Sequence, residues 1–214
     1  NCEYKNYDIE SIKEFPKIVS ETKGLMGFNV TIPYKEEIIP MLDKLSKTAK
    51  IIGAVNCVTV SKKRKLKGYN TDYYGFKKSI KPLVKEHHKK ALILGTGGAS
   101  KAVAYALRKL KIEYDFVSRT PDEFQFDYAD LNAEVFEEYH IIINTTPVGT
   151  HPNVEEYPNL DYSLFTKKHI AYDLVYNPEE TAFLKKAKEN NAKTKNGYDM
   201  LVFQAEKAWK IWNE

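Results

Sequence analysis

The pattern of apolar and polar positions changes near Gly75. Beyond it, short apolar runs such as KKALILG, YDFVSR, EYHIIINTTP and HIAYDLVYNP alternate with amphipathic segments such as ASKAVAYALRKL and EETAFLKKAKEN. Short, wholly apolar strands are typical of a parallel sheet covered on both faces. Their alternation with helices predicts a doubly wound α/β domain that ends with the short strand AKTKN. A helix over residues 200–212 is predicted to follow, with one apolar face formed by Leu201, Ala205, Ala208, Trp209 and Trp212.

The part of the chain before Gly75 has shorter periodic units. DIESIKEFPKIVSE has helical spacing with Ser11 as a candidate cap, and LMGFNVTI reads as a strand that ends at Pro33, which cannot donate to a sheet ladder. KEEIIPMLDKLSKTAKIIG predicts one or two helices, with Pro40 at the start of the second. AVNCVTV and KLKGYNT predict a hairpin with the basic tip SKKRK. A small α/β unit therefore precedes the doubly wound one.

Composition narrows the class of protein. The chain has 214 residues, of which 43% are hydrophobic and 29% charged, which is ordinary for a globular protein. A net charge of +4 suits an anionic small molecule better than a nucleic acid, and the short SKKRK run lacks interleaved aromatic residues. No apolar run is long enough to span a membrane. Two cysteines and five histidines show no disulfide or metal-ligand spacing, so we expect a cytoplasmic protein without a metal.

The segment LILGTGGASKAVAYAL carries the strongest chemical signal. It predicts a strand, a glycine-rich turn and a helix. Gly95 allows the tight turn, Gly97 lets the backbone approach a pyrophosphate, and the start of the helix offers free N–H groups. Ser100 stands where the usual fingerprint has Gly or Ala, which is a departure from the pattern. The segment predicts a dinucleotide-binding site.

The next strand suggests which dinucleotide is bound. It ends in VSRT, so Arg119 lies where an NAD-binding unit carries Asp or Glu for the ribose 2′-hydroxyl. A cation at this place favours a 2′-phosphate and therefore NADP. Ser118 and Thr120 could add hydroxyl contacts, and a solvent-facing arginine at a strand end is the alternative.

Three polar clusters in the first unit each follow a strand-like run. Their members are Asn29, Thr31 and Lys35, then Asn56, then Asn70, Thr71 and Asp72. Such side chains suit a hydroxylated, acidic small molecule, and a lysine beside an aspartate can handle the proton of an alcohol during hydride transfer. From the residues alone, capped turns and a surface ion pair remain an alternative.

A family resemblance connects these clusters. The segments NVTIPYK, GAVN, NTD, GTGGASKA, SRT, NTTPVG, DLVYNP and NGYDMLVFQA occur in the order and approximate spacing of shikimate dehydrogenases. The chain thus resembles that family over nearly its whole length. The resemblance implies a substrate domain, a Rossmann-like parallel-sheet NADP-binding domain and a cleft between them. It also implies NADPH-dependent reduction of 3-dehydroshikimate to shikimate, a step of aromatic amino-acid biosynthesis.

The resemblance assigns roles residue by residue. Lys35 and Asp72 match the catalytic pair. The residues that match or accompany the substrate contacts are Asn29, Thr31, Asn56, Tyr176 and Gln204. The residues that match the cofactor site are Gly95, Thr96, Gly97, Gly98, Ala99, Ser118, Arg119, Thr120, Thr145, Gly197 and Met200. The family often has Asn where this chain has Ser118, and Asn177 follows Tyr176 in place of a larger residue.

One departure concerns the beginning of the chain. Family members start about 30 residues earlier with a strand, a Ser-x-Ser loop that holds the substrate carboxylate, and a helix, and losing that buried first strand would expose a sheet edge. The sequence has no Ser-x-Ser. We therefore expect this chain to be a fragment or a trimmed form of the protein.

The resemblance also implies a division of the chain. Residues 1–76 and the helix 199–214 would form the substrate domain, and residues 77–198 the NADP-binding domain. The partners implied are small molecules, with a monomer or a homodimer as the assembly and neither nucleic acid nor membrane involved. A quinate/shikimate dehydrogenase of broader specificity, or a non-catalytic metabolite-binding regulator on the same fold, remains an alternative.

Overall fold

A computed structural model describes residues 2–214. The first part of the chain forms a four-stranded sheet from β1 (Gly27–Asn29), β2 (Lys44–Leu45), β3 (Cys57–Val60) and β4 (Leu66–Tyr69), in the order β1-β3-β4-β2. β3 and β4 are antiparallel, which confirms the hairpin predicted around SKKRK. One face of this sheet is covered by an apolar cluster that includes Phe15, Ile38 and Val58.

The helices beside this sheet are short. A 3₁₀ turn over Ile12–Glu14 leads into α1 (Phe15–Glu21). Ser11 and Glu14 form a reciprocal capping box at the start of the 3₁₀ turn. The predicted cap at Ser11 is therefore confirmed. α2 (Lys47–Ile52) begins after Ser46, whose side chain accepts a hydrogen bond from the Ala49 N–H at 3.1 Å.

Two predictions for this part are corrected. The strand expected to reach Pro33 ends at Asn29, and consecutive turns follow it from residue 32. Of the one or two helices expected over KEEIIPMLDKLSKTAKIIG, one is observed, α2, whereas Pro40 begins only a 3₁₀ turn, Ile39–Met41, and not a second helix. Proline is tolerated in the first turn of a helix, where its missing N–H would have no partner, so this short turn can include Pro40. The segment that carries Lys35 is therefore a tight turn rather than a strand or a helix.

The second part confirms the doubly wound prediction. It has six parallel strands: β5 (Lys90–Leu94), β6 (Glu113–Ser118), β7 (Gln125–Asp127), β8 (Ile141–Asn144), β9 (Ile170–Asp173) and β10 (Lys193–Lys195). Their order is β10-β9-β8-β5-β6-β7. The strand order reverses beside β5, and the carboxyl end at such a point is where open α/β sheets bind ligands.

Three helices accompany this parallel sheet: α4 (Gly98–Leu110), α5 (Ala133–Glu138) and α6 (Ala182–Glu189). Apolar residues of β5, β8 and β9 lie at the centre of the sheet with no exposed surface, as buried parallel strands require. β7, α5 and the two-residue β2 were not predicted from the sequence. All three are too short to show a clear period.

Two helices join the sheets. α3 (Asp72–Ile80) begins directly after β4, and α7 (Tyr198–Trp212) ends the chain. Phe76 and Ile80 of α3 and Met200 of α7 belong to the core of the parallel sheet. At its other end, α7 reaches the first sheet, because the indole N–H of Trp212 donates to the Val58 carbonyl oxygen at 3.0 Å. The predicted boundary after residue 76 thus falls inside α3, a continuous helix.

The predicted apolar face of the last helix is corrected. Trp209 is 53% exposed and Ala205 is exposed, whereas Met200, Ala208 and Ile211 are buried. α7 packs with one side on α3 and with its end on β3, so the buried face follows these two neighbours. The predicted face was selected from the apolar residues of the helix alone, and it included residues that face solvent.

Two buried histidines lie at the amino ends of the parallel strands: His88 precedes β5 and His169 precedes β9. Nδ1 of His88 accepts a hydrogen bond from the Lys85 N–H at 2.8 Å, which leaves Nε2 to donate to the Lys168 carbonyl oxygen at 3.0 Å. His169 repeats the arrangement: its Nδ1 accepts from the Thr166 N–H at 3.0 Å. Both rings are thereby held in their neutral form.

Candidate active site

The turn after β1 brings Lys35 onto the first residue of α3. The Tyr34 N–H donates to the Thr31 carbonyl oxygen at 2.9 Å, and the Val55 N–H donates to the Lys35 carbonyl oxygen at 2.7 Å. With its backbone held in this way, Lys35 places Nζ 2.7 Å from Oδ2 of Asp72. The side chains are only 15% and 7% exposed, so the pair is largely withdrawn from water. The surface ion pair considered from composition is therefore excluded for these residues.

A network of neutral donors and acceptors surrounds this ion pair. Nδ2 of Asn56 lies 2.9 Å from Thr71 Oγ1, 2.9 Å from Asp72 Oδ1 and 3.3 Å from Gln204 Oε1. Oδ1 of Asn56 accepts a hydrogen bond from the Thr71 N–H at 2.6 Å. The start of β3, the start of α3 and the middle of α7 thus converge on one amide. Burial makes each of these contacts matter, because an unpaired polar group here would lose its hydration without compensation.

Thr71 is a site residue that the assignment by resemblance left out. It lies in the polar cluster Asn70–Asp72, and its hydroxyl also donates to Gln204 Oε1 at 3.2 Å. Asn70 has a structural role instead. Its side chain donates to the Ala54 carbonyl oxygen at 3.0 Å and accepts from the Tyr73 N–H at 3.2 Å, which secures the entry into α3.

Of the other predicted substrate residues, Asn29 is hydrogen-bonded to this network. Asn29 Nδ2 donates to the Asn56 carbonyl oxygen at 3.1 Å, and its Oδ1 accepts from the Tyr4 hydroxyl at 3.1 Å. Thr31 is exposed and Tyr176 is 46% exposed. Within residues 2–214, neither of these two side chains makes a hydrogen bond. Their roles in binding a substrate stay predictions.

Tyr176 belongs to a loop that is held by a buried carboxyl. Asp173, at the end of β9, accepts hydrogen bonds from the Thr181 hydroxyl at 2.6 Å and from the Asn144 amide and the Val175 N–H, both at 3.0 Å. Burial raises the pKa of Asp173 to about 7, against the lowering effect of these donors. Through its hydrogen bond with Asn144, the Asp173 carboxyl links the end of β9 to the end of β8.

The glycine-rich turn after β5 has the features expected of a phosphate cradle. Gly95 has φ +100°, and a Cβ on it would lie 2.9 Å from the Thr146 side chain, so only glycine fits here. A Cβ on Gly97 would meet nothing within 4 Å, so the backbone is open on that side. No side chain caps the first turn of α4, and its N–H groups stay available to an anion.

The departure at Ser100 has a packing explanation. Ser100 is fully buried, and its hydroxyl donates to the Gly97 carbonyl oxygen at 2.6 Å. The small side chain permits close packing and its polar group is satisfied within the turn. Thr96, Ala99 and Thr145 lie in the same region. The Thr145 hydroxyl donates to the Leu94 carbonyl oxygen at 2.6 Å, so this side chain is engaged by the end of β5.

A separate groove of about 610 Å³ lies at Arg119, after β6. Neither Lys35 nor Asp72 lines it. Its lining residues are Arg119, Asp127, Tyr128, Val148, Glu156, Tyr157, Pro158 and Asn159. Burial raises the pKa of the Tyr128 hydroxyl, and the nearby Arg119 guanidinium opposes this rise. Arg119 itself is exposed, and the Ser118 hydroxyl accepts a hydrogen bond from the Thr120 N–H at 3.2 Å.

Gly197 and Met200 lie where α7 begins. A Cβ on Gly197 would approach the Leu174 carbonyl oxygen to 2.0 Å, so this position requires glycine. Met200 is buried in the core of the parallel sheet, and its carbonyl oxygen lies 2.5 Å from where a Cβ on Gly75 would be. Packing of α3 against α7 accounts for Met200, and contact with a cofactor stays a prediction.

The ion pair and the cradle lie next to each other. A Cβ on Gly98, the first residue of α4, would be 3.5 Å from Lys35 Cβ and 3.7 Å from Ala54 Cβ. Beside this contact, Ile52 and Ala54 pack with Ala102 and Tyr105 of α4 in a small apolar cluster. A molecule in contact with the Lys35–Asp72 pair would therefore lie within reach of a cofactor held at the start of α4.

Residues 2–214 show neither a metal-binding cluster nor a membrane-spanning helix. No three side chains of His, Cys, Asp or Glu converge in a way that could hold a metal ion. No helix within that range has the length and apolar character needed to cross a membrane.

The chain is similar to known proteins over most of its length. A family model described as the shikimate dehydrogenase substrate binding domain matches residues 1–58. The NADP(+)-dependent shikimate dehydrogenase of Aquifex aeolicus is 42% identical over 223 residues, covering 100% of this chain and 81% of the relative.

Two solved structures extend the comparison. The Thermus thermophilus shikimate 5-dehydrogenase, solved with NADP(H) and shikimate, has a TM-score of 0.82 at 33% identity. The match covers 94% of this chain and 78% of that protein's chain. A quinate dehydrogenase from Corynebacterium glutamicum, solved with NAD, has a TM-score of 0.81 at 28% identity and covers 94% and 77%.

Proposed function

Since the chain belongs to the shikimate dehydrogenase family, we propose that it catalyses the reversible NADPH-dependent reduction of 3-dehydroshikimate to shikimate. It is an oxidoreductase that acts on a CH–OH group. The observation that supports this function best is the buried Lys35–Asp72 pair, which lies against the first residue of a helix with an open, glycine-rich start. The residues proposed for proton chemistry and for cofactor binding are thus neighbours in space although they are distant in the chain.

The residues after β5 fit NADP. The open backbone at Gly97 and the uncapped N-terminus of α4 suit a pyrophosphate, because free N–H groups and the helix dipole both favour an anion. Arg119 supplies a cation at the end of the following strand, where the 2′-phosphate of NADP needs one. When bound, NADPH supplies the hydride that reduces the carbonyl carbon.

Lys35 acts on the oxygen of the substrate. Its Nζ donates to Asp72 Oδ2, and an ammonium has further N–H bonds with which to meet a carbonyl or alcohol oxygen. During reduction that oxygen gains negative charge and takes up a proton, and a cation fixed nearby lowers the energy of this state. In the reverse direction the same pair receives the proton of the alcohol.

Asp72 and the amide network hold Lys35 in place. Oδ1 of Asp72 is occupied by the Asn56 amide, so the carboxylate has one oxygen left for Lys35. Gln204 and Thr71 restrain the Asn56 amide from the other side. Asn29, Thr31 and Tyr176 are proposed to bind the hydroxyl groups of the substrate.

The two parts of the chain divide this work. We propose that residues 1–76 with 199–214 bind the substrate and residues 77–198 bind NADP, with α3 packed into both. The protein is proposed to act in the cytoplasm as a monomer or a homodimer, on small molecules. The two cysteines, exposed Cys2 and buried Cys57, are unpaired, which agrees with a reducing compartment.

Quinate is the second candidate substrate. It is favoured by the similarity to the Corynebacterium quinate dehydrogenase. Shikimate is preferred because the relative from Aquifex, at higher identity, is a shikimate dehydrogenase.

The test is nicotinamide absorbance with the full-length protein, shikimate or quinate as substrate, and NADP or NAD as cofactor. We expect the largest kcat/KM for shikimate with NADP. A larger kcat/KM for quinate would favour the second candidate. Binding of shikimate without turnover under any combination would indicate a metabolite-binding regulator and reject the proposed enzyme activity.

A further inference from the structure

An ion pair joins the turn of the candidate catalytic lysine to the candidate cofactor helix. Glu36 follows Lys35 directly in the chain, and its Oε2 lies 2.5 Å from Nζ of Lys101 on α4. Its other oxygen, Oε1, lies 3.6 Å from where a Cβ on Gly98 would be. The carboxylate therefore lies against the first turn of the helix whose start forms the phosphate cradle.

The pair is the polar edge of a longer contact between the two parts of the chain. On its buried side, Ala54 packs with Ala102 and Tyr105 of α4. The backbone of Lys35 belongs to the same contact, because its carbonyl oxygen accepts the Val55 N–H. Apolar side chains can slide over one another, whereas a hydrogen-bonded ion pair favours one relative position.

From this geometry we infer that Glu36 and Lys101 are positioning residues for the proposed reaction, which set where Lys35 stands relative to the bound cofactor. Hydride transfer needs the reacting atoms in close and aligned contact, and small displacements reduce the rate strongly. The substrate oxygen is met by Lys35 and the cofactor by α4. A link between these two groups therefore acts on the step in which both must be aligned.

The Glu36–Lys101 ion pair is not expected to contribute much to the stability of the fold. The side chains of Lys101 and Glu36 are 39% and 44% exposed, and exposed ion pairs contribute little to the free energy of folding. Loss of the pair should leave the melting temperature nearly unchanged. A purely structural role predicts the reverse, namely a lower melting temperature with normal turnover.

Glu37 is a matched control. It is the next residue in the chain, it carries the same charge and it is exposed. Among residues 2–214 it has no basic partner within 4 Å. Glu37→Gln therefore removes the same charge from the same turn without breaking a link to α4.

The experiment is a double-mutant cycle on kcat with Glu36→Gln and Lys101→Met in the full-length protein, using shikimate and NADP. We expect Glu36→Gln to lower kcat by about two- to fivefold, the most that an exposed ion pair can contribute, with little change in the KM for shikimate. Because the two side chains act as one unit, Glu36→Gln should cost almost nothing further in the Lys101→Met background. Lys101→Arg, which keeps the ion pair, should retain most of the wild-type kcat.

Two results would overturn the inference. One is a Glu36→Gln enzyme that is no slower than Glu37→Gln. The other is a Glu36→Gln effect of equal size with and without Lys101. Since this inference rests on the proposed function, the wild-type protein is assayed in parallel. An inactive wild type would reject the proposed function, whereas an active wild type with unaffected variants would reject only the positioning role.

Discussion

Replacing Lys35 by Met tests the proposed mechanism and the burial of its ion pair together. Lys35 Nζ is 2.7 Å from Asp72, and the two side chains are 15% and 7% exposed. If the ammonium handles the proton or stabilises the developing alkoxide, kcat should fall by about two to four decades. At about 1.4 kcal/mol per decade, this corresponds to roughly 3–5 kcal/mol of lost transition-state stabilisation.

The same substitution should lower the free energy of unfolding. It leaves the Asp72 carboxylate buried, with the neutral Asn56 amide as its remaining side-chain donor. Among residues 2–214, no other basic side chain lies within 4 Å of it. Removing one partner of a buried pair typically costs about 3–5 kcal/mol. Lys65 and Asp43 are a matched control, because their distance is also 2.7 Å but Lys65 is 71% exposed. Lys65→Met should change stability little and kcat not at all.

A second substitution separates stability from catalysis. In Lys35→Met/Asp72→Asn no uncompensated charge remains, so the unfolding free energy should recover relative to Lys35→Met while kcat stays low. Lys35→Arg keeps a cation that does not release its proton in proteins. Recovery of kcat in this variant would indicate electrostatic stabilisation, and continued loss would indicate proton transfer by Lys35.

The assays are steady-state turnover of shikimate with NADP and unfolding in urea, both on the full-length enzyme. A Lys35→Met enzyme with near-normal kcat would remove Lys35 from the mechanism. A stability loss no greater than that of Lys65→Met would refute the argument from burial.

Three further predictions concern other parts of the molecule. Arg119→Gln should lower kcat/KM for NADP by about one to two decades, the size of a lost charge-assisted hydrogen bond of about 1.5–3 kcal/mol, and leave NAD unaffected; equal losses for both cofactors in steady-state kinetics would contradict this role. Burial lowers the pKa of His88 from 6.5 to about 4, so its contribution to stability is present above pH 6.5 and is lost as the pH falls towards 4. His88→Gln should flatten the dependence of the unfolding free energy on pH in that window, and parallel curves for the two proteins would count against it. Gly27→Ala should destabilise by about 1–3 kcal/mol in thermal unfolding, because overpacking strains a close contact; the new Cβ would lie 2.3 Å from the Trp212 ring, and an unchanged melting temperature would show that this contact yields without cost.

Much of the fold follows from local sequence. The apolar run of β5, the glycine turn and the periodicity of α4 all lie within residues 90–110, so pattern and turn chemistry are enough to identify them. The capping box at Ser11 is likewise a local signal. The short elements β2, β7 and α5 were missed, because two to six residues contain too little of a period to detect.

The candidate site shows where local reasoning ends. Lys35, Asp72, Asn56 and Thr71 were recognisable as polar clusters after strands, whereas Gln204 and the pairing of Lys35 with Asp72 came from the family resemblance. The contacts themselves join residues far apart in the chain: Lys35 and Asp72 are separated by 37 positions, and Asn56 and Gln204 by 148. No periodicity reports a contact over such a separation.

Tertiary packing alone decided three further features. It determined which face of α7 is buried, because that face is selected by α3 and β3 rather than by the apolar residues of the helix. It made α3 continuous across the predicted domain boundary. It also brought Glu36 to Lys101, a contact between two partly exposed side chains whose sequence context is ordinary. The sequence by itself therefore determined the elements with a strong local period and the chemical character of the site. The relative placement of those elements depends on packing between distant segments, and this packing also sets the geometry of the reacting groups.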